Sequence, residues 1–319
     1  MQPTPPNTDP FHTGERAMQT RAGVRERLAQ VGGRVIREAM PEQHRDFFRQ
    51  LPFLIAGSVD ASGQPGASLL AGPPGFIESP DPRRLVVHAL PDPASPLAAA
   101  LRTGASLGLL GIEPQTRRRN RVNGMVTTIR NDGFDLAVSQ SFGNCPQYIQ
   151  AREAHYLDHE RGPTEVARSD TLDRLARDII VHADTFFIAS AHPHAATNPA
   201  RSEGVDVSHR GGKPGFVRVD ADGTLTVPDF SGNFFFNTLG NLAINSRAGL
   251  LFADFASGDL LHLAVAAEIV WDGPQVAAFT GAQRLLKFRV AEVLRLKRAM
   301  PLAWSAAQLS PLLAATGSW

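Results

Sequence analysis

The sequence predicts a mainly β, α+β protein in which one β-rich unit occurs twice, with an N-terminal helical segment and connecting helices. Three observations carry this reading. Residues 68–77 read S-L-L-A-G-P-P-G-F-I and residues 208–217 read S-H-R-G-G-K-P-G-F-V, with Ser, Gly, Pro, Gly and Phe at matching offsets. Each copy follows a short apolar run, Phe53–Ser58 in one and Phe186–Ser190 in the other. Clusters of turn-forming residues separate further apolar or alternating runs, which is the pattern of hairpins.

Residues 1–50 form a tail and helices. Residues 1–12 are rich in Pro and polar groups that cannot offset chain entropy, so a disordered start is expected. Val24, Leu28, Val31 and Val35 recur at helical spacing and predict an amphipathic helix over 16–40, with Arg21, Arg25, Arg27 and Arg34 on its other faces. Pro41 is placed to open a short helix through Phe48.

The first β unit spans 51–135, with turns at 60–63 and 79–82 and strands at Leu107–Leu110 and Val122–Ile129. Asn131-Asp132-Gly133 is a strong hairpin signal. Residues 136–182 are read as a helical connector that begins with S-F-G-N-C-P-Q-Y-I. Within it Leu172, Leu175 and Ile179 sit at helical spacing after a Ser169 or Thr171 cap. The second unit spans 183–275, with a turn at 220–223 and strands at 249–253 and 260–271; residues 276–319 are read as a helical tail. The near-equal spacing sets Gly232–Asn241 opposite Pro91–Leu101, which makes the second copy the expected ligand loop.

Composition narrows the function. A chain of 319 residues with 43% hydrophobic and 20% charged residues has room for two domains and a real core. Its apolar runs are too short to span a bilayer. A net charge of +1 argues against a protein built on broad phosphate contacts with nucleic acid, so small-molecule partners are expected. The single cysteine, Cys145, excludes an internal disulfide framework and fits a reducing, cytoplasmic setting. No targeting segment is readable at the N-terminus. Elbow, P-loop and dinucleotide-binding motifs are missing, so hydrolase and nucleotidase readings lack their signals.

At Ser208–Phe216, Pro228–Asn233 and Phe236–Leu242 the chain resembles the pyridoxamine 5′-phosphate oxidase-like flavoproteins, in the branch with two split β-barrels in one polypeptide. Ser141–Ile149 and Arg117–Gly124 resemble recurring segments of that branch. The resemblance implies two tandem FMN-binding split barrels, non-covalent FMN at the barrel seam, and oxidoreductase activity on a small-molecule substrate. A reduced nicotinamide or a reductase partner would be the electron source, and pairing into a homodimer stays open. Phe236-Asn237-Thr238 falls where the oxidase has its Ser-Arg-Lys phosphate-binding run, and Arg118–Gly124 falls on a strand that contributes to the flavin pocket. Counterparts of the groups that hold pyridoxal phosphate in the oxidase are missing, which implies a different substrate.

The residues themselves set the expected site. His209 and Arg210 occupy the positions of Leu69 and Leu70 in the first copy, and alternation turns one of the two toward an interior or seam. A buried guanidinium favours a bound phosphate, a paired carboxylate or a solvent-open cleft; joined to the resemblance, this puts Arg210 on the FMN phosphate with Asn237 and Thr238, while His209 and Gly211 line the flavin edge. Gly212, Ser231, Asn233 and Asn241 complete the loop. Arg119 and Arg121 share one strand face and reach in from the other barrel, with Arg118 opposite. Asn144, Cys145 and Gln147 are expected on the substrate side, and Phe234, Phe235 and Phe236 in the core. His192-Pro193-His194, with His182 near in sequence, has no carboxylate or Cys beside it, so no metal is expected. Two alternatives remain: a cofactor-binding module, for flavin or haem, without turnover, and an interaction scaffold with its pocket filled by side chains.

Overall fold

The computed structural model describes residues 9–158, 164–197 and 200–319. The expectation of disorder at residues 1–8 lies outside these. Phe11 and His12, in contrast, are packed into the body of the protein and buried, contrary to expectation. The predicted helix over 16–40 is two helices, α1 (Thr13–Arg21) and α2 (Arg25–Val35), parted where Gly23 takes a φ of 70°. Pro41 precedes α3 (Glu42–Arg49) as expected.

The first unit contains β1 (Phe53–Val59), β2 (Pro65–Ala71), β3 (Ile77–Asp81), β4 (Arg84–Val87), α4 (Pro96–Ala100), β5 (Ser106–Glu113), β6 (Arg118–Arg130) and β7 (Gly133–Gly143). Then come β8 (Ala154–Tyr156), β9 (Glu165–Ser169) and α5 (Arg174–His182). The second unit contains β10 (Thr185–Ala191), β11 (Val205–Gly211), β12 (Arg218–Val219), β13 (Leu225–Asp229), α6 (Asn237–Ile244), β14 (Arg247–Ala253), β15 (Leu260–Val270), α7 (Pro274–Ala277) and β16 (Arg284–Lys297), followed by β17 (Leu302–Trp304).

The two sheets repeat one plan. The first runs β2-β1-β5-β6-β7-β4-β3 and the second β11-β10-β14-β15-β16-β13-β12, so each strand of one has a counterpart in the other. Register agrees as well. Ala56 pairs with Ser68 and Leu109, while Ile188 pairs with Ser208 and Leu250. Leu69 and Leu70 therefore correspond to His209 and Arg210, and Arg121, paired with Leu110, corresponds to His262, paired with Leu251.

The apolar runs that mark the repeats are strands buried on both faces. Leu54, Ala56, Leu107 and Leu109 fill the first barrel, and Phe186, Ile188, Leu250 and Phe252 fill the second. Their neighbours Phe53, Ile55, Leu110, Ile112, Phe187, Ala189 and Leu251 face outward into a third core that joins the barrels. Two corresponding glycines let the units cross closely. A Cβ on Gly108 would sit 2.5 Å from the Val205 carbonyl oxygen, and one on Gly249 would collide with that of Pro65.

Two boundary expectations are corrected. The predicted helical tail over 276–319 instead holds β16, a 14-residue strand paired with β15, β13 and β9. Its short apolar runs fit either period, and the open flanks of β13 and β15 decide for strand. Among its described residues the connector over 136–182 is helical only in α5; its start is β7, and β9 extends the second sheet. Asp173, not Ser169 or Thr171, caps α5, its side chain accepting the Ala176 amide at 2.7 Å.

Candidate functional site

A polar cleft of about 690 Å³, part of it open to solvent, lies at the barrel seam. Strand alternation on β6 turns Arg119 and Arg121 into it, as the spacing predicts, and leaves Arg118 over the Phe47 ring on the far side. The second barrel contributes His209 and Arg210 from β11, Asp229 from β13, Arg284 from β16, the loop after β13 and the first turn of α6.

Arg121 is 3% exposed. Its Nη1 donates to Asp206 Oδ1 at 2.9 Å and Asn237 Oδ1 at 3.1 Å, and Nη2 donates to the Ser208 hydroxyl, so one guanidinium ties the first barrel to β11 and α6. Arg119 donates from Nε to the Cys145 carbonyl at 2.7 Å and from Nη1 to the His209 carbonyl at 3.3 Å. Burial, with Arg121 alongside, lowers the Arg119 pKa to about 10, which leaves it charged at neutral pH. Arg210 pairs with Asp229 beside the open cleft. Arg284 lies 5.2 Å from the Phe236 ring centroid and places Nε 3.5 Å from Asp229 Oδ2.

These partners do not use all the donors. Arg121 Nε, Arg210 Nε, Arg284 Nη1 and Asn144 Nδ2 are buried without a hydrogen-bond partner, as is His209 Nδ1. Burial and the cations Arg119 and Arg210 push the His209 pKa well below its ordinary value, so the ring is neutral. Four guanidiniums face two carboxylates, Asp206 and Asp229. Such a surplus of buried donors is costly unless an acceptor-rich group satisfies it.

The α6 N-terminus adds to the surplus. Phe236 occupies the cap position in the left-handed region at φ 64° and supplies no side-chain cap, and the first-turn residues Asn237, Thr238 and Leu239 line the cleft, which brings the positive helix end to it. On sequence, 231–241 is expected as a polar loop with Asn and Thr side chains as donors. The side chains are instead committed. Asn237 donates to Glu15 and accepts from Arg121, and Thr238 donates to Ser208 Oγ at 3.0 Å.

Among the other expected residues, Asn233, Asn144 and Cys145 line the cleft, whereas Gly211, Gly212, Ser231, Asn241 and Gln147 do not. Gly211 abuts the Tyr148 carbonyl and Gly212 the Phe216 ring, where side chains would collide, so both glycines serve close packing. Asn241 is 1% exposed on the buried face of α6, bonded to Ser190 and Asp206. Gln147 Oε1 is buried and unbonded away from the cleft. Phe235 is in the core as expected, while Phe234 and Phe236 line the cleft at its edge.

Sequence reasoning missed Arg284, because it fell in the supposed helical tail, and missed Glu15. That carboxyl, on α1, accepts the His12 amide at 2.8 Å and the Asn237 side chain. Burial, then Asp206, holds its pKa well above the usual carboxylate range. Gly14 and Gly240 let α1 press against α6 there. The only signal was the capping-box spacing of His12 and Glu15.

The corresponding cavity of the first barrel lies between α4 and β15. Leu70, in the position of Arg210, is packed into the first core instead of lining this cavity, His262 stands where Arg121 does, and Pro96 opens α4 without an amide N–H. The Leu97 amide already donates to Ser68 Oγ at 3.1 Å, so the cationic cradle is confined to one side of the pseudo-symmetric pair.

A family model described as pyridoxamine 5′-phosphate oxidase matches residues 40–165, the first barrel and the segment behind it. A search of curated proteins gives no match. Among solved structures the chain is similar to group A Streptococcus HupZ, with 14% identity, a TM-score of 0.29 and coverage of 38% of this chain and 90% of that one. A Lactobacillus delbrueckii protein described as a candidate pyridoxamine 5′-phosphate oxidase is 14% identical, with a TM-score of 0.29 and coverage of 39% and 94%. The Bacillus subtilis inhibitor of motility MotI/DgrA is 8% identical, with a TM-score of 0.21 and coverage of 75% and 87%. Likenesses this distant carry no argument about activity.

Proposed function

We propose that the chain is an FMN-binding flavoprotein and an oxidoreductase whose substrate differs from that of pyridoxamine 5′-phosphate oxidase. The observation that carries this is a single cleft lined by residues of both barrels that hold unpartnered buried donors and by the uncapped start of α6. A phosphate is an acceptor-only dianion, which such a cradle suits. The family match supports the reading through the strand that delivers Arg119 and Arg121.

In this reading Arg210 and the first-turn amides of α6 hold the phosphate, with Arg284 beside them. Phe234, Phe236 and neutral His209 border the isoalloxazine edge, and Arg119 and Arg121 close the seam from the first barrel. Bound FMN would supply the redox chemistry; the chain's part is to bind, orient and exclude water. None of these side chains is assigned a proton transfer. One FMN per chain is expected, because the corresponding cavity lacks the cradle.

The purified chain should be yellow or take up one equivalent of FMN, and anaerobic NADH or NADPH should bleach it. Yellow without bleaching favours a binding module or a reductase partner. A colourless chain that takes up no FMN overturns the proposal.

A further inference from the structure

The His192-Pro193-His194 run is set aside on sequence because no carboxylate accompanies it, and the fold supplies one. Glu203, across the connection from β10 to β11, returns beside the pair. His194 Nδ1 donates to its Oε2 at 3.1 Å, and His192 Nε2 lies 3.8 Å from its Oε1. The prospective ligand atoms of the three residues lie within 4.8 Å of one another. His182 is not in the group. The His12 ring meets His192 edge-on at 5.2 Å, and His12 Nε2 is buried without a hydrogen-bond partner, its nearest acid being Glu15 Oε2 at 3.6 Å.

We propose that His192, His194 and Glu203 form a binding site for a divalent transition metal of borderline softness, zinc being the type. Two imidazole nitrogens and one carboxylate oxygen are a donor set suited to such ions, whereas magnesium and calcium prefer oxygen alone. Ligand atoms about 2 Å from a common ion lie roughly 3–3.5 Å apart, so a small contraction of the present spacing suffices. His194 is 63% exposed, so the remaining coordination positions face water and the ion exchanges with solvent.

His192 Nδ1 accepts the His194 amide at 3.2 Å, which places the ring proton on Nε2 toward Glu203. Coordination at Nε2 moves that proton to Nδ1 and exchanges the amide bond for a metal bond. Asp206, which anchors Arg121, follows Glu203 by three residues, so an ion here braces the hairpin that builds the seam.

The test uses the full chain, stripped with chelator and without flavin, titrated calorimetrically with Zn²⁺ and separately with Mg²⁺. One saturable Zn²⁺ is expected, with no Mg²⁺ binding in the same range. His194→Ala and Glu203→Gln, both at accessible positions, should each weaken Zn²⁺ at least tenfold while leaving the circular dichroism unchanged. Absence of saturable Zn²⁺ binding, or wild-type affinity in either variant, overturns the site. Neither outcome depends on whether FMN binds.

Discussion

Arg121 on β6 and Asp206 on β11 form an ion pair at 2.9 Å across the two barrels, with the Arg121 side chain 3% exposed and the Asp206 side chain 11%. Asp206 Oδ1 also accepts from Asn123 at 2.9 Å. The pair sits beneath the cleft and fixes the distance between the first barrel's cations and the second barrel's helix.

Breaking it from one side should therefore be expensive. Arg121→Met leaves Asp206 buried without its cation and should cost about 3 kcal/mol in urea unfolding. Adding Asp206→Asn removes the stranded charge and should recover at least half of that loss.

The pseudo-symmetry of the seam makes a paired prediction. Gly108→Ala and Gly249→Ala each force a methyl group into the backbone of the opposite barrel. Both should lower stability, each by about 1–3 kcal/mol. A neutral result at one position and a large loss at the other in thermal unfolding would contradict equivalent crossings.

The Glu15 carboxyl has a folded-state pKa raised well above its unfolded value, chiefly by burial. Its stabilising contribution is complete below the unfolded value near 4.5 and is lost as pH rises toward the folded value. Glu15→Gln removes this dependence. Melting temperatures compared from pH 5 to pH 8 should show the variant gaining on the wild type as pH rises.

Asp229 competes for the cations assigned to phosphate, since it pairs with Arg210 and lies 3.5 Å from Arg284 Nε. Asp229→Asn should tighten FMN several-fold, of order 1 kcal/mol, by releasing a charged donor. Weaker FMN binding in a folded variant would place the phosphate elsewhere.

The architecture was legible where side chains repeat a local physical demand. The runs Phe53–Ser58 and Phe186–Ser190 announce strands because both their faces are buried, and Asn131–Gly133 announces its hairpin because Asn and Asp suit a tight turn, while a side chain at Gly133 would collide with the Val87 carbonyl. The alternation that turns Arg119 and Arg121 inward and Arg118 outward follows from the strand period alone. What stayed hidden depends on contacts distant in sequence. Arg284 belongs to a strand whose apolar spacing suits two periods, Glu203 reaches His194 only because a hairpin folds back, and Glu15 enters the seam only because α1 docks on α6. The first turn of α6 reads as loop because its polar residues carry no cap signal: the cap is Phe236, in the left-handed region.

The most direct test of the seam as a phosphate-reading flavin site is a fluorescence-quenching titration of wild type and Arg210→Ala with FMN and with riboflavin. Loss of a charge-assisted bond of about 1.5 kcal/mol should weaken FMN roughly tenfold and leave riboflavin affinity unchanged. Equal affinities of the two proteins for FMN, or an equal loss for both flavins, would contradict it.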